Sequence, residues 1–387
     1  MRSEQRPVKL DSLLLGAVMT LVGLGLVMVY SASAIAAQDK VGDGLYFLKR
    51  QAIAAGLGVG AMSLALALGY RRLARLAYPL LLLSVAMLVL VLVPGVGHTV
   101  YGSQRWLRLP GLSVQPAEIA KVSWVIYLAY SLAKKKEKVA TFSIGFLPHL
   151  LLAGVLVVLC MLQPDFGSAV ALLFLLFTLL FTAGTKLSYL VGSVLVAIPI
   201  GYHAVASSPY RMKRILAFMD PWAHRKDVGY QVAESLMTIG SGGVHGLGLG
   251  DGRQKLFFLP EAHTDFIFSI IGEELGFLGV ALVVLLFGVI IWRGVRASLS
   301  AGEPFGTYLG LGMTSLFAYH AVVNMCVATG LLPTKGLTLP FLSYGGTSLV
   351  VMMGAAGVLL SIGATAVPAV RPEARSRVLA GQGQVAA

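Results

Sequence analysis

Leu259-Pro260-Glu261-Ala262-His263-Thr264-Asp265-Phe266-Ile267-Phe268 runs on through Gly272-Glu273-Glu274-Leu275-Gly276 into an apolar stretch that ends at Trp292. A helix of about 20 apolar residues crosses a bilayer, so this segment reads as a membrane span with carboxylates in its mouth. Glu261, Asp265, Glu273 and Glu274 gather here although the whole chain has only 17 acidic residues. Pro260 breaks whatever precedes it, Thr264 has N-cap chemistry, and Asp265 is then expected in the first helical turn, where a carboxylate suits the helix dipole. Asp265 is therefore either a dipole partner or a functional acid, because ionisable groups at membrane depth mark sites by default. From Asp265 to Trp292 the helix would measure about 42 Å, longer than a ~30 Å hydrocarbon core, leaving its first turn in the outer interface.

The rest of the chain agrees with a membrane protein. Of 387 residues, 57% are hydrophobic and 12% charged, at a mean hydropathy of +0.82, whereas soluble domains carry about 25% charge. Apolar runs near residues 13–30, 52–68, 76–93, 116–133, 144–162, 168–183, 187–206, 265–292, 307–329 and 343–364 predict an all-α polytopic protein of about ten transmembrane helices. One large extracytoplasmic loop, 207–264, separates the seventh from the eighth. Residues 11–367 form a single membrane domain between a short N-terminal tail, 1–10, and a polar tail, 368–387, expected to be disordered. Ala32-Ser33-Ala34 mimics a cleavage site, but the preceding run is long for a cleaved leader and reads as an anchor. Cys160 and Cys326 lie in apolar runs and imply neither disulfide nor metal site.

The net charge of +13 does not point to nucleic acid, because the basic residues are dispersed between spans. Arg2, Arg6, Lys9, Arg71, Arg72, Arg75, Lys134, Lys135, Lys136, Lys138, Lys186, Arg293, Arg296, Arg371, Arg375 and Arg377 fall on one face, which the positive-inside rule makes cytoplasmic together with both termini. The opposite, outer face then collects Arg105, the start of the fourth span, Asp165, Asp265 and Lys335.

Several groups on that face carry chemistry. In Gln115-Pro116-Ala117-Glu118-Ile119-Ala120-Lys121, Pro116 suits N1 of a helix and Glu118 N3, and Glu118 and Lys121 share a face. They form a local ion pair or bind a ligand, since a charge at such depth costs about 2.5 to 3.5 kcal/mol. Asp165, in Gln163-Pro164-Asp165-Phe166-Gly167-Ser168, caps the sixth span or serves a site. The long loop carries Arg211-Met212-Lys213-Arg214 and a glycine-rich run, Gly240 to Gly250, that lacks the strand and lysine of a nucleotide site. Its amides and basic residues can hold a diphosphate, or the basic residues anchor the loop to the membrane surface. Tyr319, His320 and Asn324 at helical spacing read as interhelical hydrogen-bonding groups. In Lys335-Gly336-Leu337-Thr338-Leu339-Pro340-Phe341-Leu342-Ser343-Tyr344-Gly345-Gly346 the prolines and glycines bound a dipping segment, and Ser343 is expected to cap the last helix.

Together, Arg105-Trp106, Gln115 to Lys121, Gln163 to Gly167, Gly229-Tyr230-Gln231, Leu259 to Phe268 and Pro340 to Gly346 occur in the order of the SEDS family (shape, elongation, division and sporulation proteins), which the chain resembles over about residues 10–366. Glu261 to Asp265 and Leu332 to Gly336 are worded more like its division branch than its elongation branch. Ala117, Glu234 and Thr347 depart from its usual residues without touching an expected catalytic position. The resemblance implies a ten-helix peptidoglycan glycosyltransferase of the bacterial inner membrane, active at the division septum. It implies lipid II, a diphosphate-linked disaccharide-pentapeptide on undecaprenol, as substrate, and a class B penicillin-binding protein as transpeptidase partner beside other division proteins. It matches Asp265 to the essential acid, and Glu118, Lys121 and Asp165 to polar residues of the central cavity.

The resulting expectation is inverting glycosyl transfer with Asp265 as general base. Lys121, Arg105 and Arg211 steady the departing diphosphate, a task that Mg2+ or Mn2+ can share, with Lys335 and Ser343 as further substrate contacts. A lipid II flippase and a non-catalytic division scaffold are the rivals. A flippase holds its ionisable groups near the midplane, and a scaffold needs no acid at Asp265.

Overall fold

The computed structural model describes residues 10–100, 103–109, 112–207, 209–226, 229–252 and 259–365. Its helices are α1 (Ser12–Val41), α2 (Tyr46–Leu68), α3 (Tyr70–Leu92), α4 (Pro116–Lys135), α5 (Leu147–Leu162), α6 (Phe166–Thr182), α7 (Leu187–Ala206), α8 (Pro209–Met219), α9 (Tyr230–Ser241), α10 (Ile267–Leu299), α11 (Pro304–Ala328) and α12 (Gly346–Thr365). Among the described residues, seven helical stretches are long and apolar enough to cross a membrane: α1, α2, α3, Phe142–Leu162, α10, α11 and α12. Phe166–Thr182 and Leu187–His203 are apolar but shorter, and α4 carries Glu118, Lys121, Lys134 and Lys135. The chain is thus a helical, multi-pass membrane protein. Of the ten crossings expected from the sequence, these seven meet that criterion among the described residues, while α4, α6 and α7 fall outside it by length or charge. Both tails expected from the sequence fall largely on residues 1–9 and 366–387, outside the described residues.

Packing places α4, α11 and α12 at the centre. Trp124, Leu128, Phe317, Met352 and Leu359 are fully buried, while α3, α5 and α7 turn Leu82, Leu151 and Leu195 outward, as lipid-facing helices do. Small residues let helices approach closely where lipid offers no hydrophobic gain. At Gly25 of α1, an added Cβ would come within 2.6 Å of the Phe341 carbonyl, so the dipping segment after α11 rests directly on α1. Arg293 pairs with Asp11 at 2.8 Å and Arg71 with Glu303 at 3.0 Å, tying together the bundle end that holds the starts of α1, α3 and α11.

The structure corrects the sequence reading in four places. The connection between α3 and α4 is not a plain loop: β1 (Gly97–Val100), β2 (Ser103–Leu109) and β3 (Leu112–Val114) form a small antiparallel sheet in the order β1-β2-β3 before α4, and Arg105 and Trp106 sit on its central strand. The segment 207–264 is not a plain loop, since it contains α8 and α9. Thr264 is no N-cap and Asp265 is not in the helix. The N–H groups of Thr264, Asp265 and Phe266 all turn back onto the carbonyl of Glu261, itself at φ 55°, and α10 begins at Ile267 with Phe266 as its cap residue.

The fourth correction concerns the long eighth span, because α10 is broken at Gly276 (φ 64°, ψ −161°). Asn324 of α11 donates to the carbonyl of Asp265 at 2.9 Å. Ser235 contacts Ser269 at 2.6 Å and the carbonyl of Ala328, one turn further along α11, also at 2.6 Å. Residues up to the break therefore run alongside α11 in the same direction. Beyond it, Gly294 meets Thr314 and Ser298 meets Gly310, an antiparallel register. The part after Gly276 is about 34 Å long at 1.5 Å per residue, a fit to the hydrocarbon core, and the part before it is a buried, re-entrant half-helix.

The break exposes backbone groups, and the glycine run satisfies them. Leu247 and Gly248 donate to the carbonyls of Glu273 and Glu274 at 2.9 and 3.0 Å, and Phe277 donates to Gly243 at 2.9 Å. A Cβ on Gly246 would collide with the Glu274 carbonyl. Gly250 donates to the Glu274 carboxylate at 3.1 Å and Ser31 to both its oxygens at 2.7 Å. These amides, expected to be available for a diphosphate, are engaged in closing the half-helix.

Candidate active site

The carboxylate of Asp265 is the focus of the end of the bundle opposite the Asp11–Arg293 pair. It is half-buried, and no hydrogen bond to its oxygens is found among the described residues. Burial first, and the nearby Glu261 carboxylate second, push its pKa up to about 7, against the opposing pull of Arg105 and Arg214. Two contacts hold the turn that carries it. Asn324 bridges the carbonyls of Asp265 and Leu337, at 2.9 and 2.7 Å, and Tyr344 donates its N–H to the carbonyl of His263 at 2.9 Å. The His263 ring packs on Phe47 and Tyr344, with centroids 4.5 and 5.5 Å apart. Gly336 lies against the acid, since a Cβ there would stand 3.5 Å from Oδ2.

Three cations surround this turn. Lys335, next to Gly336, is half-buried with Nζ 5.2 Å from the centre of the Phe166 ring, and burial lowers its pKa. Arg105 donates Nε to the carbonyl of Gln163 at 3.2 Å and Nη2 to that of Pro164, with Nη1 4.0 Å from Asp165. Arg214 of α8 donates to the carbonyl of Thr334 at 3.3 Å. Asp165 caps α6 in the manner its position suggested, accepting from the N–H of Ser168 at 3.1 Å and its hydroxyl at 2.8 Å. Arg211 lies on α8 three residues before Arg214, but its side chain is outside the described residues.

Glu118 and Lys121 occupy a different, sealed place. Pro116 and Glu118 take the helix-start positions expected of them. Lys121 is 0% and Glu118 4% exposed. Nζ of Lys121 lies 2.6 Å from Glu118 and 2.8 Å from Nε2 of His320, while Ser348 donates to the other Glu118 oxygen at 3.3 Å. Nδ1 of His320 lies 3.4 Å from the carbonyl of Thr338. This network ties α4, α11 and α12 to the segment bearing Lys335 and Gly336, so its members reach the acid through that segment and not by contact. Ser343 does not cap the last helix: its hydroxyl accepts from the N–H of Leu339 at 2.8 Å, closing a turn three residues before α12.

Sequence reading named Asp265, Arg105, Asp165 and Lys335, which the structure brings to one end of the bundle, but did not single out Arg214, whose loop it read as holding a diphosphate or anchoring to the membrane surface. Its spacing from Arg211, three residues on a helix, was the available signal. Asn324, read as an interhelical group, holds the backbone of the acid itself. Among the described residues no three His, Cys, Asp or Glu side chains converge into a metal cage.

The same arrangement of chain recurs in known proteins. Residues 11–366 match the cell cycle protein family FtsW/RodA/SpoVE. The chain is 47% identical over 352 residues, 91% of its length and 94% of the other, to a probable peptidoglycan glycosyltransferase FtsW of Geobacter sulfurreducens. It is 41% identical to stage V sporulation protein E of Bacillus subtilis, covering 91% and 96% of the two chains. In a solved peptidoglycan synthase complex that coordinates polymerization and crosslinking, one chain superposes with a TM-score of 0.77 at 32% identity, covering 92% of this chain and 98% of that one. The rod shape determining protein RodA of Thermus thermophilus superposes at 0.68 and 30% identity, over 92% and 97%. From these matches across nearly its whole length, the chain belongs to the FtsW/RodA/SpoVE family, the SEDS proteins.

Proposed function

We propose that this chain is a peptidoglycan glycosyltransferase that polymerises lipid II at the outer face of the bacterial inner membrane, during division. Both termini then lie in the cytoplasm, ten helices cross the membrane, and a class B penicillin-binding protein crosslinks the strands it makes. The observation that carries this reading is Asp265: a half-buried carboxylate with no hydrogen-bonded partner among the described residues, poised near neutral pH, with Arg105, Arg214 and Lys335 around its turn. A general base works best with a pKa near the working pH. Asp265 takes the proton of the acceptor sugar hydroxyl as that oxygen attacks the anomeric carbon of the donor, and the bond to the lipid diphosphate breaks with inversion. Arg105, Arg214 and Lys335, with Arg211 as a further candidate, stabilise the charge growing on that diphosphate.

A divalent cation would find one or two carboxylates here, Asp265 and Glu261, and hard cations so held take their remaining oxygens from substrate phosphates and water. It would neutralise diphosphate charge.

A flippase instead needs an open polar path through the midplane, and the Glu118–Lys121–His320 network is closed to solvent. The test uses the purified chain with its transpeptidase partner inactivated, supplied with labelled lipid II. Strand synthesis that disappears in Asp265→Ala supports polymerisation. Lipid movement across vesicles with no polymer supports the flippase, and neither activity supports the scaffold.

A further inference from the structure

We infer that the bundle end opposite Asp265 carries a binding site for an anionic phospholipid, between α3, the end of α4 and the turn that follows it. An open cavity of about 630 Å³ is lined by Tyr78, Ser131 and the run Lys134-Lys135-Lys136-Glu137-Lys138. Lys135 is tied down, donating to the carbonyl of Ile144 at 2.6 Å. Lys134, Lys136 and Lys138 are exposed, and so is Arg75, one turn before Tyr78 on α3. None of these four pairs with an acid among the described residues, Glu137 included. Two other arginines at this end are paired, Arg71 with Glu303 and Arg293 with Asp11. Orientation in the membrane needs basic residues on this face, but it does not need three of them without an acid partner lining one cavity, with a fourth a turn before its Tyr78.

Two further features select a lipid over a soluble anion. Tyr78 stands 57% exposed, held edge-on by Tyr127 and Tyr130 with centroids 5.6 and 5.7 Å away, an aromatic at the depth where headgroup meets acyl chain. From there the outward flanks of α3 and α5, at Leu82 and Leu151, are 72% and 62% exposed and offer an apolar track for the chains. The charges meet the phosphate and the track meets the tail, so the site commits to a phospholipid of net negative charge.

The test uses the full chain in detergent, with dioleoyl phosphatidylglycerol and dioleoyl phosphatidylcholine as probes and bound lipid counted by native mass spectrometry. The compared variant is R75Q/K134Q/K136G/K138Q. Glycine is used at Lys136 because that residue sits at φ 46°. Each basic residue near an anionic surface contributes about fivefold in affinity. The expected result is a preference for phosphatidylglycerol that falls at least about tenfold in the variant, with phosphatidylcholine binding and thermal unfolding unchanged. If the quadruple variant does not fold, K134Q and K138Q singly are each expected to lose about fivefold. Equal binding of the two lipids by the wild-type chain, an undiminished preference in the variants, or displacement by equimolar inorganic phosphate would each overturn the inference.

Discussion

Replacing Glu261 by glutamine tests whether Asp265 is the titrating base. The two residues are one turn apart, with the N–H of Asp265 on the carbonyl of Glu261 at 3.1 Å, and their carboxylates repel. For two carboxylates one turn apart, taken as about 6 Å, the repulsion is about 0.7 kcal/mol in bulk water and about 2.8 kcal/mol at an effective dielectric of 20. A half-buried pair lies between these limits, so losing the Glu261 charge is worth about 1.4 kcal/mol, or about one pH unit. Activity requires the Asp265 carboxylate, so the rate should climb through pH about 7 in the wild type and through about 6 in Glu261→Gln. At pH 6 the ionised fraction then rises from about one tenth to about one half, a gain of about fivefold. Thr264, which donates to Glu261 at 2.9 Å, keeps an acceptor in the glutamine, so the turn survives. The assay is initial velocity of strand synthesis on labelled lipid II, from pH 5.5 to 8.5. An acid limb that does not move, or moves upward, would refute the reasoning.

Removing Lys121 alone, as Lys121→Met, leaves Glu118 buried and uncompensated and should cost about 3 to 5 kcal/mol. The double variant Glu118→Gln/Lys121→Met should cost less than the sum of its parts, read by denaturation in detergent. Asn324→Ala frees the Asp265 turn from Leu337, and we expect kcat to fall about 10- to 100-fold through misplacement with lipid II binding largely kept. Gly276→Ala places a Cβ in the left-handed region, at about 1 to 2 kcal/mol, and drives it into Gly246 and Val244. We expect a lowered thermal midpoint, with Gly288→Ala, where a Cβ meets nothing within 4 Å, as the unaffected control.

How much was legible in the sequence depended on the kind of interaction. Apolar runs of about 20 residues announce spans directly, and Pro116 before Glu118 announced a helix start. Asp265, Asp165 and Arg105 stood out because charge is costly in such a chain. The break at Gly276 did not, since nothing in the run marks it out from Gly272 and Gly279 and the turn is imposed by backbone bonds with Gly243, Leu247 and Gly248, some thirty residues earlier. The sheet holding Arg105 was hidden for a similar reason: short strands between glycines look like loop until their pairing is known. Arg214 needed tertiary contact with Thr334 to reveal its place beside the acid.

Asp265 is also a strained group in the folding sense. Its raised pKa means that the folded chain loses stability as pH rises from about 4 to about 7, so Asp265→Asn should be relatively more stable than the wild type above about 7 than below about 4. The same exchange is the most direct test of function. With the transpeptidase inactivated and labelled lipid II supplied, Asp265→Asn should keep the fold and lipid II binding while strand synthesis falls at least about a hundredfold, as loss of a general base requires. Glycan strands made by the amide variant at near the wild-type rate would contradict the central claim.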